Sequence, residues 1–298
     1  MPTGCGTWPA FWLTNEQDWP RSGEIDIVEA ANTQSRAKMA LHTSESCSME
    51  GQPLGVMTGD WDTATGIPDD DTGIPNPEFG YATNCYVYDK KQWTNQGCVA
   101  VENKKDSIGE GFNNNGGGVY VLEWDPDRVD GGYIRSWVFP KGEKFQGSSD
   151  GYYLPENLRR AMLPNISGRG GGGNLRNSKP PDVSFESSNR MNSTTSSADV
   201  WEQPDPNKWG LPYGYFSLNP NTCPASHFRN MNLIFNLAFC GSVAGAKFSV
   251  DCPEMFEKYG SCEAYVRSEE GKKNIAKDGQ WEINGVYIFE REFVVNGE

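Results

Sequence analysis

Hydrophobic and polar residues alternate over short segments of this chain, and turns rich in Gly, Pro and Asn separate the segments. Alternation with a period of two is typical of β-strands with one buried face. It predicts strands at Gly23–Glu29, Lys38–Thr43, Gly118–Asp125, Tyr133–Phe139, Met231–Phe239 and Glu282–Val294. A helical period is nearly absent, and only Pro253–Ser268 predicts a helix. The pattern indicates an all-β fold, either a sandwich or a barrel.

One predicted strand carries acidic residues at unusual positions. In "SGEIDIVEAAN" (Ser22–Asn32), a period of two places Glu24 and Asp26 on one face and Glu29 on the other, beside Ile25 and Ile27. A half-solvated strand would explain Glu24 and Asp26 but not Glu29. A β-bulge between Asp26 and Glu29 would take up one extra residue and return Glu29 to the face of the other two acids.

The bulge would bring two carboxyl groups within reach of one substrate bond. Glu24 and Glu29 would be about four strand steps apart, or ~13 Å between backbones. Two glutamate side chains that lean together leave their carboxyls ~5 Å apart, which is the separation typical of retaining glycosidases. Asp26 lies between them, where its charge or a hydrogen bond can influence both. The spacing favours a double-displacement glycosidase.

Composition excludes several other classes of protein. The 298 residues carry a formal net charge of -14, which argues against nucleic acid as a partner. No apolar run approaches the ~18 residues of a membrane span. Two histidines, His42 and His227, make a zinc enzyme or a Ser-His-Asp enzyme improbable. The even number of cysteines favours disulfides and an oxidising compartment, with the pairing open: Cys5, Cys47, Cys85, Cys98, Cys223, Cys240, Cys252 and Cys262.

One segment differs from the rest in composition. From about Gln146 to Asp199 the chain is rich in Gly, Ser, Asn and Pro, and it has little apolar surface to offset the entropy of ordering. We therefore expect a long disordered insertion that interrupts a single domain spanning residues 1–298. Two glycosylation sequons, at Asn165 and Asn192, are consistent with an exposed segment of a secreted chain.

Seven motifs follow one another along the chain: "GCGTWPAFW" (Gly4–Trp12), "WPRSGEIDIVEAAN" (Trp19–Asn32), "LHTS" (Leu41–Ser44), "NNNGGGVYVLEW" (Asn113–Trp124), "WVFP" (Trp137–Pro140), "KWGLPYGYF" (Lys208–Phe216) and "NLAFCG" (Asn236–Gly241). Together they resemble fungal laminarinase-like endo-β-glucanases of glycoside hydrolase family 16. The resemblance covers about residues 1–140 and 199–294. It implies a concanavalin A-like β-jelly-roll sandwich whose concave face binds a β-glucan, with no cofactor and no metal.

The resemblance also implies roles for individual residues. Family members carry the pattern Glu-x-Asp-x-x-Glu, which makes Glu24 the nucleophile, Asp26 its assisting acid and Glu29 the general acid/base. Related cell-wall transglycosylases typically have the shorter Glu-x-Asp-x-Glu, so the spacing here favours hydrolysis of β-1,3 or mixed β-1,3/1,4 glucans. Trp12 and Trp19 match tryptophans that stack on glucose rings.

The sequence defines the roles of the two histidines and of the other tryptophans less closely. His42 is similar to a family histidine that can hydrogen-bond the acidic cluster, although a purely structural role fits it almost as well. His227 has no comparable match. Tryptophans in a sandwich usually lie in the core, and four are interpreted as structural: Trp8, Trp124, Trp137 and Trp281.

The chain begins three residues before the first motif, where family members usually have several dozen residues, including a signal peptide and the first strands of both sheets. We therefore expect a jelly roll that is incomplete at its N-terminus. Two alternatives to a secreted, monomeric endo-β-glucanase stay open: a glucan-binding protein without activity, and a cell-wall glucan transglycosylase on the same scaffold. Neither alternative requires a membrane.

Overall fold

The computed structural model describes residues 1–53, 55–64, 80–126, 131–146, 151–162 and 203–290. The chain divides into two compact units, one formed by Met1–Glu143 with Gly210–Trp281 and the other by Lys144–Trp209 with Glu282–Glu298. The described strands are β1 (Thr7–Thr14), β2 (Glu24–Glu29), β3 (Lys38–His42), β4 (Asp60–Trp61), β5 (Cys98–Val101), β6 (Gly118–Asp125), β7 (Gly132–Pro140), β8 (Gly214–Leu218) and β9 (Asn232–Phe239). The described α-helices are α1 (Gly109–Asn114), α2 (Glu156–Met162), α3 (Ala246–Asp251), α4 (Pro253–Tyr259), α5 (Cys262–Arg267) and α6 (Glu269–Asp278).

All nine strands belong to the larger unit, where they form two antiparallel sheets. One sheet has six strands in the order β4-β5-β3-β2-β1-β9, and the other has three in the order β6-β7-β8. Every ladder within these sheets is antiparallel. Strand β2, which carries the acidic residues, therefore lies in the interior of the larger sheet, where both neighbours restrict its backbone.

The core lies between the two sheets. Ile25 and Leu41 on the six-stranded sheet and Ile134 and Phe216 on the three-stranded sheet are completely buried in one cluster. The hydroxyl of Tyr213 crosses the core and donates a hydrogen bond to the carbonyl of Ile27 at 3.1 Å. Of the two folds that the alternating pattern indicates, a sandwich and a barrel, the structure has the sandwich, in which one apolar face of each sheet is removed from water against the other.

The strand predictions are confirmed at five of six places: β2, β3, β6, β7 and β9. Strands β1, β4, β5 and β8 were not predicted, since a continuous apolar run such as Cys98–Val101 has no period of two. The strand predicted at Glu282–Val294 is wrong for its described part. Residues 282–290 have no regular structure, and Ile288 is 71% exposed. A strand needs a neighbour to satisfy its backbone hydrogen bonds, and alternation alone does not supply one.

The predicted helix Pro253–Ser268 is divided into α4 and α5. Gly260 ends α4 with a φ of 76°, a left-handed conformation that favours glycine. The hydroxyl of Ser261 then accepts a hydrogen bond from the backbone N–H of Ala264 and begins α5. Helix α6 follows directly and was not predicted.

The eight cysteines form four disulfides, which confirms the expectation from their even number. The pairs are Cys5–Cys252, Cys47–Cys223, Cys85–Cys98 and Cys240–Cys262. Two of them anchor the C-terminal helices, since they join α5 to the end of β9 and the residue preceding α4 to the segment before β1. None of the helices in the described ranges has both the length and the apolar character needed to span a bilayer.

The described part of the smaller unit contains α2 and a short 3₁₀ turn, Pro206–Lys208. Asn157 on α2 donates to the carbonyl of Asp205 at 3.1 Å and accepts from the indole N–H of Trp209 at 2.7 Å. The prediction of a disordered insertion from Gln146 onward is therefore wrong for its first part, because α2 has buried positions at Leu158 and Ala161. The remainder of the predicted insertion, residues 163–199, lies outside the described residues, as do both sequons.

Candidate active site

The β-bulge predicted in β2 is present. In the ladder with β3, Glu24 pairs with His42 and Asp26 pairs with Ala40, but Glu29 pairs with Lys38, so β2 has one residue more than β3. The ladder with β1 shows the same extra residue, between the partners of Trp12 and Phe11. As a result, Glu24, Asp26 and Glu29 share one face of the sheet.

The apolar residues of β2 account for the bulge. Ile25 and Val28 are three positions apart, yet both are completely buried in the core between the sheets. Strand period two cannot place both on one face without an extra residue between them. The burial of Ile25 and Val28 and the common face of the three acids are therefore two consequences of one backbone irregularity.

Each glutamate accepts a hydrogen bond from an indole. The Nε1 of Trp8 donates to Oε1 of Glu29 at 2.6 Å, and the Nε1 of Trp19 donates to Oε2 of Glu24 at 2.7 Å. Trp8, which was interpreted as structural, therefore contacts a candidate site residue directly. Trp8 and Trp12 are four residues apart on β1 and share a face, but this strand was not predicted from the sequence.

The Trp8 ring fits because a glycine stands against it. Gly241 has a φ of 64°, and a Cβ atom at this position would lie 2.9 Å from Cζ3 of Trp8. Any side chain there would push the indole away from Glu29 and would also be strained by the left-handed backbone.

His42 is the cationic partner of the acids. Its Nε2 lies 3.0 Å from Oδ2 of Asp26 and 3.8 Å from Oε1 of Glu24. Both His42 and Asp26 are buried, and the ring packs against Gly97, where a Cβ would lie 2.9 Å from Nδ1. The sequence-based expectation that His42 contacts the acidic cluster is met in this geometry.

Burial and mutual charge shift the protonation of this cluster. Burial raises the pKa of Asp26 to about 7, the negative charge of Glu24 adds to that shift, and His42 opposes it. Burial also raises the pKa of Glu29, against the lowering effect of the Trp8 hydrogen bond. For His42, burial lowers the pKa, but the charges of Glu24 and Asp26 outweigh it and raise the pKa to about 9. Near neutral pH, His42 is thus a cation within a cluster of acids.

These shifts predict that stability falls as pH rises. The pKa of Asp26 is above its unfolded value of 3.8, so its contribution is lost as pH rises from about 4 to about 7. The raised pKa of His42 contributes fully below 6.5 and is lost as pH rises to about 9. We therefore expect the urea midpoint to decrease between pH 5 and pH 9. Because His42 also lowers the pKa of Asp26, its own contribution is tested in an Asp26→Asn background, where His42→Gln should flatten the decrease above pH 6.5.

The second histidine provides a matched control for this measurement. Burial lowers the pKa of His227, so its contribution has the opposite dependence on pH. His227→Gln should leave the decrease above pH 6.5 in place. Parallel curves for Asp26→Asn and for the double variant Asp26→Asn, His42→Gln would contradict the assignment. His227 itself lies near Ser44 and Ser46, with Nδ1 3.4 Å from the Ser44 hydroxyl oxygen.

The same cluster has a donor set that a cation could use. One oxygen of Glu24, one oxygen of Asp26 and a ring nitrogen of His42 lie within 4.8 Å of one another. The His42 cation already balances part of the negative charge of Glu24 and Asp26.

The remaining tryptophans differ in their relation to the acids. Trp12 pairs with Asp26 across the β1–β2 ladder and so shares its face. Its Nε1 is buried and has no hydrogen-bond partner within the described part of the chain, so a ligand could contact the ring face but not the N–H. Trp137 is buried and donates to the carbonyl of Gly210, and Trp281 donates to the carbonyl of Asn236. These contacts agree with the structural interpretation of Trp137 and Trp281.

Comparison with models of protein families shows to which family the chain belongs. Residues 1–146 and 185–289 match the model of the XgeA-like, catalytic GH16 domain. The chain belongs to glycoside hydrolase family 16. The resemblance inferred from the motifs is thereby confirmed, and the acid-bearing strand lies within the matched residues.

Two curated fungal proteins are similar over nearly the whole chain. It is 32% identical to an endo-1,3(4)-beta-glucanase of Arthroderma benhamiae over 98% of this chain and 46% of that protein. It is 31% identical to a protein of Schizosaccharomyces pombe described as a "Probable glycosidase", over 97% of this chain and 49% of that protein. The chain thus spans about half the length of these relatives.

Solved GH16 structures have the same fold. Laminarinase 16A from Phanerochaete chrysosporium, with beta-glucans in both donor and acceptor sites, is 29% identical with a TM-score of 0.55, over 91% of this chain and 64% of that one. An elongating GH family 16 beta-1,3-glucosyltransferase is 25% identical with a TM-score of 0.51, over 84% of this chain and 56% of that one. The two-sheet sandwich described above is a β-jelly roll of this class.

Proposed function

We propose that this GH16 domain is a retaining endo-β-glucanase, which hydrolyses internal linkages of β-1,3 or mixed β-1,3/1,4 glucans by double displacement. The observation that carries the proposal is the bulge of β2, which puts Glu24, Asp26 and Glu29 on one face. The names of the relatives, an endo-1,3(4)-beta-glucanase and a laminarinase, support the substrate class.

In the first step, Glu24 is the nucleophile and Glu29 is the acid. The Glu24 carboxylate attacks the anomeric carbon while the Glu29 carboxyl gives its proton to the departing glycosidic oxygen, and a glycosyl ester on Glu24 results. The raised pKa of Glu29, caused by burial, suits a group that must be protonated to act as an acid. The expected separation of about 5 Å between the two carboxyls would leave no room for a water molecule at this stage.

In the second step, Glu29 becomes a base. Its carboxylate takes a proton from a water molecule, the hydroxyl oxygen attacks the anomeric carbon, and Glu24 leaves as a carboxylate. Two inversions at the anomeric carbon give net retention. The Trp8 and Trp19 indoles support this cycle, since each N–H holds one glutamate oxygen in place.

Asp26 and His42 hold Glu24 ready to attack. The hydrogen bond from His42 to Asp26 orients the Asp26 carboxyl beside Glu24, and the His42 cation lies 3.8 Å from a Glu24 oxygen. The His42 ring therefore contacts both acids and restricts the position of the nucleophile. Asp26 is therefore an assisting acid and His42 a positioning residue.

Trp19 and Trp12 would contact the sugar rings. An indole face suits the C–H-rich face of a pyranose. We expect Trp19→Ala to weaken binding of laminarin oligosaccharides by roughly 1–2 kcal/mol, measured by calorimetry in a Glu24→Gln background that cannot turn over. Trp19→Phe should keep most of the affinity, because it retains a ring and loses only the N–H. Unchanged affinity in Trp19→Ala, together with lower stability, would return Trp19 to a structural role.

Transglycosylation is the second candidate, because a GH16 beta-1,3-glucosyltransferase is among the structural neighbours. The first step would be identical, and a glucan hydroxyl would replace water in the second. Incubation with laminarin and lichenan, followed by mass spectrometry of the products, separates the two outcomes. Shorter oligosaccharides indicate hydrolysis, and products longer than the substrate indicate transfer. Binding without any product would leave a glucan-binding module.

We further propose that the protein is secreted and acts as a monomer on β-glucan outside the cell. Four disulfides support an oxidising compartment, since such bonds persist in secreted proteins and are rare in the cytosol.

A further inference from the structure

A lysine stands directly opposite Glu29 in the sheet. Lys38 is the partner of Glu29 in the β2–β3 ladder, so the two side chains leave the sheet on the same face. The Lys38 ammonium lies 2.6 Å from Oδ2 of Asp62, and the side chains of Lys38 and Asp62 are only 18% and 7% exposed. Lys38 and Asp62 thus form a largely buried ion pair beside Glu29.

Asp62 is held in place by its backbone and its second oxygen. Its Oδ1 accepts a hydrogen bond from the N–H of Thr63 at 3.0 Å. Its own N–H donates to the carbonyl of Val99 on β5, and its carbonyl accepts from Ala82. These hydrogen bonds hold the Asp62 carboxylate in place, and the carboxylate in turn holds the Lys38 ammonium.

A contribution to stability does not explain well why Lys38 and Asp62 form an ion pair at this place. Exposed ion pairs contribute little, and buried ones lose much of their attraction to desolvation. A buried pair is therefore weak evidence of a stabilising role. Its position opposite the proposed acid/base residue indicates a part in the reaction.

We propose that Lys38 and Asp62 form a positioning pair that balances the charge at Glu29 and so sets the pH range in which Glu29 works as acid and base. The inference rests on the proposed function of Glu29. Glu24 and Asp26 face Glu29 from its own strand, and His42 and Lys38 face it from β3. Asp62 lies behind Lys38, and β1 contributes only the neutral Trp8.

The two members of the pair have opposite effects on Glu29. The Lys38 cation lowers the pKa of Glu29 and opposes the effect of burial. This stabilises the carboxylate that the second step requires, in a site that already holds two other acids. Asp62 withdraws the ammonium from Glu29. Without Asp62, the Lys38 ammonium would no longer be drawn away from Glu29, and it would favour the ionised form of Glu29 and oppose the protonation needed in the first step.

The test uses four variants with predicted directions of change. Lys38→Met leaves Asp62 as an extra negative charge, so the basic limb of the kcat/KM profile should move up by roughly 0.5–1 pH unit. Asp62→Asn leaves an unbalanced cation, so the limb should move down by a similar amount. The double variant has no net charge change and should fall between the single variants. Lys38→Arg should restore the limb toward the parent value.

A purely structural role would not produce shifts of opposite sign. Movement of both single variants in the same direction, or no movement in either, would overturn the proposal. NMR titration of protein labelled at the glutamate carboxyl carbons gives a readout without turnover, with Glu29→Gln identifying the Glu29 resonance. If the parent protein does not hydrolyse glucan, the proposed function fails, but opposite shifts of the Glu29 titration still support the pair and their absence still overturns it.

Discussion

Glu24→Ala is expected to reduce laminarin hydrolysis by at least roughly 10⁴-fold, because it removes the group that forms the covalent intermediate. Azide or formate should restore part of the activity. The alanine leaves space beside the anomeric carbon, a small anion can enter and attack there, and Glu29 still protonates the leaving oxygen. NMR of the product should show a glycosyl azide of inverted anomeric configuration, since only one displacement has occurred.

Glu29→Ala is the matched control for this experiment. It should keep the nucleophile and lose the acid, so azide would intercept the glycosyl ester and give a product of retained configuration. Rescue of Glu29→Ala with inversion, and no rescue of Glu24→Ala, would exchange the two assignments. The two variants also lose the same kind of contact, because each substitution removes one hydrogen bond from an indole, that of Trp19 for Glu24 and that of Trp8 for Glu29.

Removal of the Cys47–Cys223 disulfide is expected to give a large loss of stability. The bridge joins positions 176 residues apart. Cys5–Cys252 shortens the loop that is released, and we expect Cys47→Ala with Cys223→Ala to lower the free energy of unfolding by about 4 kcal/mol. The physical reason is the conformational freedom that the unfolded chain regains. Guanidinium unfolding followed by tryptophan fluorescence measures the change.

Cys85–Cys98 is the control, because all four cysteines are buried in the same core cluster. Alanine substitution removes two buried sulfur atoms in either case, so the loss of packing is comparable. The Cys85–Cys98 bridge closes only 13 residues, and its removal should cost about 3 kcal/mol. Equal or reversed losses would show that strain or packing at the bridges, rather than loop length, determines their contribution.

Much of the structure of β2, the strand that carries the three acids, could be predicted from its local sequence. Ile25 and Val28 need the core, three carboxylates need solvent or partners, and only a bulge satisfies both. The sandwich class followed from the alternation in β2, β3, β6, β7 and β9 for the same reason, because burial of one face is a property of each strand. The prediction of a strand at Glu282–Val294 was wrong for its described residues. Alternation shows that one face of a segment is apolar, but it does not show that a neighbouring strand is available to pair with it.

The sequence by itself determined the fold class, the common face of Glu24, Asp26 and Glu29, and the oxidised state of the cysteines. Only the tertiary structure decided that Trp8 binds Glu29, that Lys38 stands opposite Glu29 with Asp62 behind it, and which cysteines pair. The reason is the range of the interactions. Side-chain alternation is set by backbone geometry between adjacent residues, whereas these contacts join positions that become neighbours only when β1, β3 and the segment after β4 assemble around β2.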